Sequence, residues 1–149
     1  MMRIFLMVTI FCMPALGQTP KDWKTQIDLI SKKHPECLML AVVYNARTHQ
    51  NIQLPAGVGR IRLIGVPIVS INDISRKIKG GLLAQHAIQA MYVVDDGEKL
   101  VSRGKTLKYL AKLAKSHSFH IFTDKARQGL SLTGWISKQD GTYTITYDK

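Results

Sequence analysis

The chain has 149 residues with 21 Lys and Arg against 10 Asp and Glu, a formal charge of +11. That length suffices for one domain with a hydrophobic core and excludes two. So large a cationic excess suits an acidic protein, an anionic membrane or cell-wall surface, or nucleic acid, and charge alone does not choose among them.

At the start, Ile4 to Leu16 is almost wholly apolar, follows the single charge of Arg3, and ends in Ala15-Leu16-Gly17 before Gln18-Thr19-Pro20. Charge, apolar stretch and small residues in that order predict a cleavable secretory signal over 1–17. The stretch is too short to span a bilayer, and Pro14 breaks its end. A single α/β domain is then expected over 18–149, exported to the periplasm and without a membrane anchor after cleavage. Export argues against nucleic acid as the partner. It also removes Cys12 and leaves Cys37 alone, so no internal disulfide forms. Cys37 opens the apolar run to Tyr44 and reads as a small buried hydrophobe.

Trp23, Ile27 and Ile30 recur at helical spacing within 21–33, with Pro20 before them and His34-Pro35 after. The unpunctuated apolar run 37–44 predicts a strand buried on both faces, as in a parallel sheet covered by helices. A second strand is expected over 60–69, where Pro67 calls for an edge or a bulge. Asn72-Asp73 can cap a short helix through Lys79, with Gly80-Gly81 ending it in a left-handed conformation.

A third strand, 87–94, stops at Asp95-Asp96-Gly97. The clearest helix follows over 100–115: Leu100, Leu107, Leu110, Ala111 and Ala114 fall on one side, and Lys105, Lys108, Lys112 and Lys115 on the other. A fourth strand is expected over 119–122. The end reads as a hairpin, 130–138 and 142–147, turning at Asp140-Gly141. Strands alternating with helices predict a three-layer, Rossmann-like, mostly parallel α/β sheet with a C-terminal antiparallel hairpin.

Chemistry is hard to find along this chain. Paired His117 and His120 have no cysteine or carboxylate at ligand spacing, and strand alternation would put them on opposite faces, so no metal is expected. Asp95, Asp96 and Glu98 follow a central strand, where α/β proteins place ligand loops, and could act as acid and base or hold a hard cation. No phosphate-binding glycine pattern and no nucleophile elbow occurs. A non-enzymatic protein without cofactor is therefore expected. The lysine stripe reads either as a solvated face or as a docking surface for an acidic partner, since like charges at this spacing gain nothing within the helix.

The second half of the chain resembles the YfiR-like family of periplasmic regulators. The matching pieces are Ala90-Met-Tyr-Val-Val94, the helix 100–115, Phe119-His-Ile-Phe-Thr-Asp124, Gly134-Trp-Ile136 and Asp140-Gly-Thr-Tyr-Thr-Ile145. The resemblance implies a periplasmic module, open to homodimerisation, that binds and restrains the outer domain of an inner-membrane signalling enzyme, typically a diguanylate cyclase. Two alternatives stand beside it. One is a basic accessory or scaffold protein of an envelope secretion or conjugation assembly, and the other a small-molecule binder or hydrolase with its pocket at Asp95-Asp96.

Overall fold

The computed structural model describes residues 21–149; the expected leader lies outside them. Helix α1 (Trp23–Lys33) leads to β1 (Met39–Asn45), a two-residue β2 (Gly57–Val58) and β3 (Ile61–Ile68). A helical segment, α2, runs from an α-turn at Ile71–Asp73 through a π-helical stretch, Ile74–Leu82, to a last α-turn at Leu83–Gln85. Then come β4 (Ala90–Val93), α3 (Gly104–His117), β5 (His120–Thr123), β6 (Gly134–Gln139) and β7 (Thr142–Tyr147).

The seven strands form one sheet in the order β2-β3-β1-β4-β5-β6-β7. The five strands β3, β1, β4, β5 and β6 run parallel; β2 and β7 pair antiparallel at the edges. The class is therefore α/β, mostly parallel, with the expected C-terminal hairpin. Asp140 (φ 48°) and Gly141 (φ 78°) make its two-residue turn, both in the left-handed region that such a turn requires.

Alternation along the strands divides the apolar residues into two cores. Ala41, Val43, Met91, Val93 and Ile121 pack with the apolar sides of α2 and α3. Leu40, Val42, Tyr92 and Phe122 pack with Trp23, Ile27 and Ile30 of α1. Central strands buried on both sides are why β1 and β4 read as continuous apolar runs. Pro67 fits for a specific reason. Arg62 N–H donates to Leu38 in front of β1, whereas Leu63 N–H donates outward to Ala56. Odd positions of β3 thus direct their N–H toward the outer edge, and β2 covers only the start of the strand, so Pro67 removes no ladder bond.

Four expectations need correction. Gly80 and Gly81 do not end α2, and neither has positive φ; Ile74, Ile78 and Leu82 all stay buried, and Leu82 draws the helix past the glycines. The N-cap is Ser70, so Asn72 and Asp73 lie inside the first turn, from which the Asp73 carboxylate accepts Val69 N–H at 3.1 Å. Helix α3 begins at Gly104 rather than Leu100, because the Asp96 carboxylate collects the backbone N–H groups of 99–102 and holds them in a loop. His117, finally, is the last residue of α3 and not part of a strand.

Candidate functional site

Leaving out the edge strands, the parallel order is second-first-third-fourth-fifth, so chain direction across the sheet reverses between β1 and β4. In sheets of this kind the crevice beyond the carboxyl ends at that reversal is where ligands bind. Here it is filled by the chain itself. Asn45 closes β1, and its Nδ2 donates to Asp96 Oδ2 at 3.0 Å. Asp96 also accepts the backbone N–H of Lys99, Leu100, Val101 and Ser102 at 2.8–3.2 Å, and the Ser102 hydroxyl at 2.7 Å. Burial works to raise the Asp96 pKa, but the Ser102, Asn45 and backbone donors outweigh it and hold the carboxylate at about 2.

The other acids of this edge are similarly committed. Asp95 Oδ1 lies 2.8 Å from Ser102 Oγ, sharing with Asp96 its single hydroxyl proton, and accepts Gly97 N–H at 3.3 Å; Asp124 accepts Asp95 N–H at 2.6 Å and pairs with Lys21, and Glu98 pairs with Arg127. Lys21 lies 5.7 Å from the Trp23 ring centroid and 5.3 Å from that of Tyr92. Burial lowers its pKa to about 8, with Asp95 opposing the fall. Asp96 therefore has no proton to give near neutral pH and its lone pairs are taken. The geometry makes Asp95, Asp96 and Glu98 organisers of the 95–102 loop.

The four lysines share one face. Lys105, Lys108, Lys112 and Lys115 are all exposed on α3, while Thr106, Leu107, Leu110, Ala111, Leu113 and Ala114 face inward. None of the four forms an ion pair among the described residues. Lys108, Lys112 and Lys115 rim a groove of about 560 Å³ whose apolar lining comes from Phe119, Ile121, Leu130 and Leu132. β5 and β6 pair over two positions, Phe122 with Gly134 and Thr123 with Trp135, and the 129–133 loop before β6, tied to Ile121 by Thr133, forms the other wall of the groove.

A second constellation lies at the opposite, amino edge of the sheet. His34 caps α1, Glu36 follows in the loop, and His120 opens β5. Glu36 Oε1 is 3.0 Å from His120 Nε2 and 3.4 Å from His34 Nδ1, and His34 Nε2 meets Tyr147 Oη at 3.2 Å. Burial and neighbouring His120 keep the His34 pKa below the usual imidazole value. Sequence spacing pairs His120 with His117; folding pairs it instead with Glu36, 84 residues away. Nothing local in the sequence signals that contact.

Cys37 is fully buried among apolar side chains, and burial pushes its thiol up to about 11, which disfavours the thiolate. No helix of the described residues is long and apolar enough to cross a membrane. No known protein-family model and no curated protein matches the chain significantly.

Proposed function

We propose that this is an exported, non-enzymatic envelope protein that docks an acidic partner surface against the lysine face of α3. The observation that carries the reading is the row of exposed lysines, without ion pairs among the described residues, three of which rim a groove with an apolar lining. Lysines give a long-range attraction that accelerates encounter, and the lining gives the contact area that retains a partner. The carboxyl edge supports the non-enzymatic part, since its acids are engaged in holding loops.

The order of Arg3, apolar run and small residues supports export to the periplasm, and the sheet with apolar cores on both faces supports a three-layer, Rossmann-like reading. Resemblance of residues 90–145 to YfiR-like regulators points to the partner class, the outer domain of an inner-membrane signalling enzyme such as a diguanylate cyclase. Restraint of that enzyme by occupancy of its outer domain needs no chemistry from this chain.

The test measures association of the purified protein with that outer domain as ionic strength rises, for wild type and for Lys108→Glu/Lys112→Glu. The wild-type rate should fall steeply between low and physiological salt, and the variant should bind slowly throughout while keeping its far-UV circular dichroism. Equal rates for a folded variant would remove α3 from the interface.

A further inference from the structure

We propose that His34, Glu36 and His120 form a solvent-accessible binding site for a divalent transition-metal ion, zinc by its ligand chemistry. Three features of the amino edge support this, independently of how the lysine face is used.

The first is the donor set. Two imidazoles and one carboxylate suit zinc, which takes nitrogen and oxygen ligands at about 2.0–2.2 Å, almost always in tetrahedral arrangement. Magnesium and calcium select oxygen instead. One ligand atom from each residue lies within 4.8 Å of the other two. Ligands at bonding distance around a tetrahedral zinc stand roughly 3.3 Å apart. The 3.4 Å between Glu36 Oε1 and His34 Nδ1 already matches, and the 3.0 Å to His120 Nε2 needs only a small opening. The two imidazole rings are tilted by 44° with centroids 4.2 Å apart, and each offers a nitrogen within 4.8 Å of the other.

The second feature is orientation. When Nδ1 of His34 binds metal, Nε2 carries the proton, and Tyr147 Oη stands at 3.2 Å to accept it. A partner on the far nitrogen is what fixes the tautomer and ring angle of a metal-binding histidine. Tyr147 comes from the last strand, so the hairpin end, α1 and β5 all contribute to the arrangement.

The third feature is access. Glu36 and His120 side chains are 54% and 36% exposed, so an ion enters from solvent without opening the fold. Three protein ligands leave a fourth position for water, as in zinc sites that exchange ligands and unlike closed structural cages.

The experiment titrates zinc sulfate by calorimetry into the chelator-stripped protein, with magnesium as control. One zinc per chain and no magnesium should bind. His120→Ala and Glu36→Gln should each weaken zinc at least tenfold, and Tyr147→Phe roughly tenfold, the scale of a lost second partner. His117→Ala, altering an exposed residue three positions away, should bind as wild type. Cobalt in place of zinc should give tetrahedral visible absorption that His120→Ala removes, with circular dichroism confirming the fold of every variant. Failure of the wild type to bind zinc, or stoichiometric binding unchanged in both His120→Ala and Glu36→Gln, overturns the proposal.

Discussion

Asn45 and Asp96 join two neighbouring parallel strands beyond their carboxyl ends, through a 3.0 Å hydrogen bond between the last residue of β1 and a loop residue three past β4. The bond lies where the sheet reverses direction, so the loop covering that crevice is fixed by one carboxylate. Replacing Asp96 with Asn keeps the shape but puts an NH2 against backbone N–H groups. The variant should lose about 3 kcal/mol, the scale for charged hydrogen bonds left unmade in a buried place. Urea unfolding at pH 7 measures it; an unchanged midpoint would mean that the loop holds without the carboxylate.

The same residue sets a pH dependence. Its folded pKa of about 2 lies below the ordinary value of 3.8, so the unfolded chain binds the proton more readily. Its contribution is fully present above about pH 4 and is lost as pH falls toward 2. Asp73, held low by Val69 N–H and Arg76, acts in the same direction. Urea midpoints across pH 2–5 should fall on acidification, and less steeply in Asp96→Asn.

Two glycines should respond oppositely to alanine. A Cβ on Gly134 would sit 2.3 Å from Thr146 O and 3.1 Å from Tyr147 Cα, backbone atoms of the paired strand that cannot yield without breaking the hairpin. Gly134→Ala should cost about 3 kcal/mol or more, at the high end for single substitutions. On Gly80 the nearest atom would be Ser75 O at 3.9 Å. Gly80→Ala should therefore stabilise α2 by about 0.5–1 kcal/mol, by restricting the unfolded chain. Thermal unfolding of both variants decides the point, and a destabilised Gly80→Ala would show that the π-helical turn itself needs glycine.

Strand identity was legible because buried parallel strands write unbroken apolar runs, and the hairpin because Asp140-Gly141 has few other uses. Boundaries were not. The start of α3 depends on which backbone N–H groups Asp96 captures, and no periodicity reports a side chain reaching forward to its own loop. Gly80-Gly81 looked like a stop because propensity weighs glycine locally, while Leu82 reaches the core beyond it. The lysine face could be read directly, since it needs only the 3.6-residue period. Its groove depends on where the 129–133 loop before β6 lies, and the His34–Glu36–His120 cluster depends on strand order; both arise only on folding.

Gln26 illustrates the same limit within the core. It lies on the buried side of α1 and accepts the Tyr92 phenol at 2.8 Å, where burial pushes that phenol up and keeps it a donor. Gln26→Leu should cost about 1–3 kcal/mol by leaving the hydroxyl unpaired, whereas Gln26→Leu with Tyr92→Phe should recover most of it. A double-mutant cycle in urea checks this; additive losses would show that the bond contributes nothing.

The lysine face should reveal a conflict between stability and binding. Lys108 stands three residues after Lys105 and four before Lys112, so it repels both within the helix, at roughly 0.2–0.5 kcal/mol per pair. Lys108→Glu turns both repulsions into attractions and places Glu before Lys at the favoured four-residue spacing. Position 108 is mid-helix, away from the carboxyl end where lysines are favoured by the helix dipole. The variant should therefore be more stable than wild type by about 0.5–1 kcal/mol at low salt, with the gain shrinking above physiological ionic strength as screening sets in. If α3 is the docking face, this stabilised variant should also bind its acidic partner more slowly. Leu110→Glu is the contrast, since a charge at a fully buried position should unfold the domain outright. Thermal unfolding of Lys108→Glu at low and high salt tests the helix argument without any partner, and a variant less stable than wild type would show that Lys108 makes a favourable contact that the exposed stripe does not suggest.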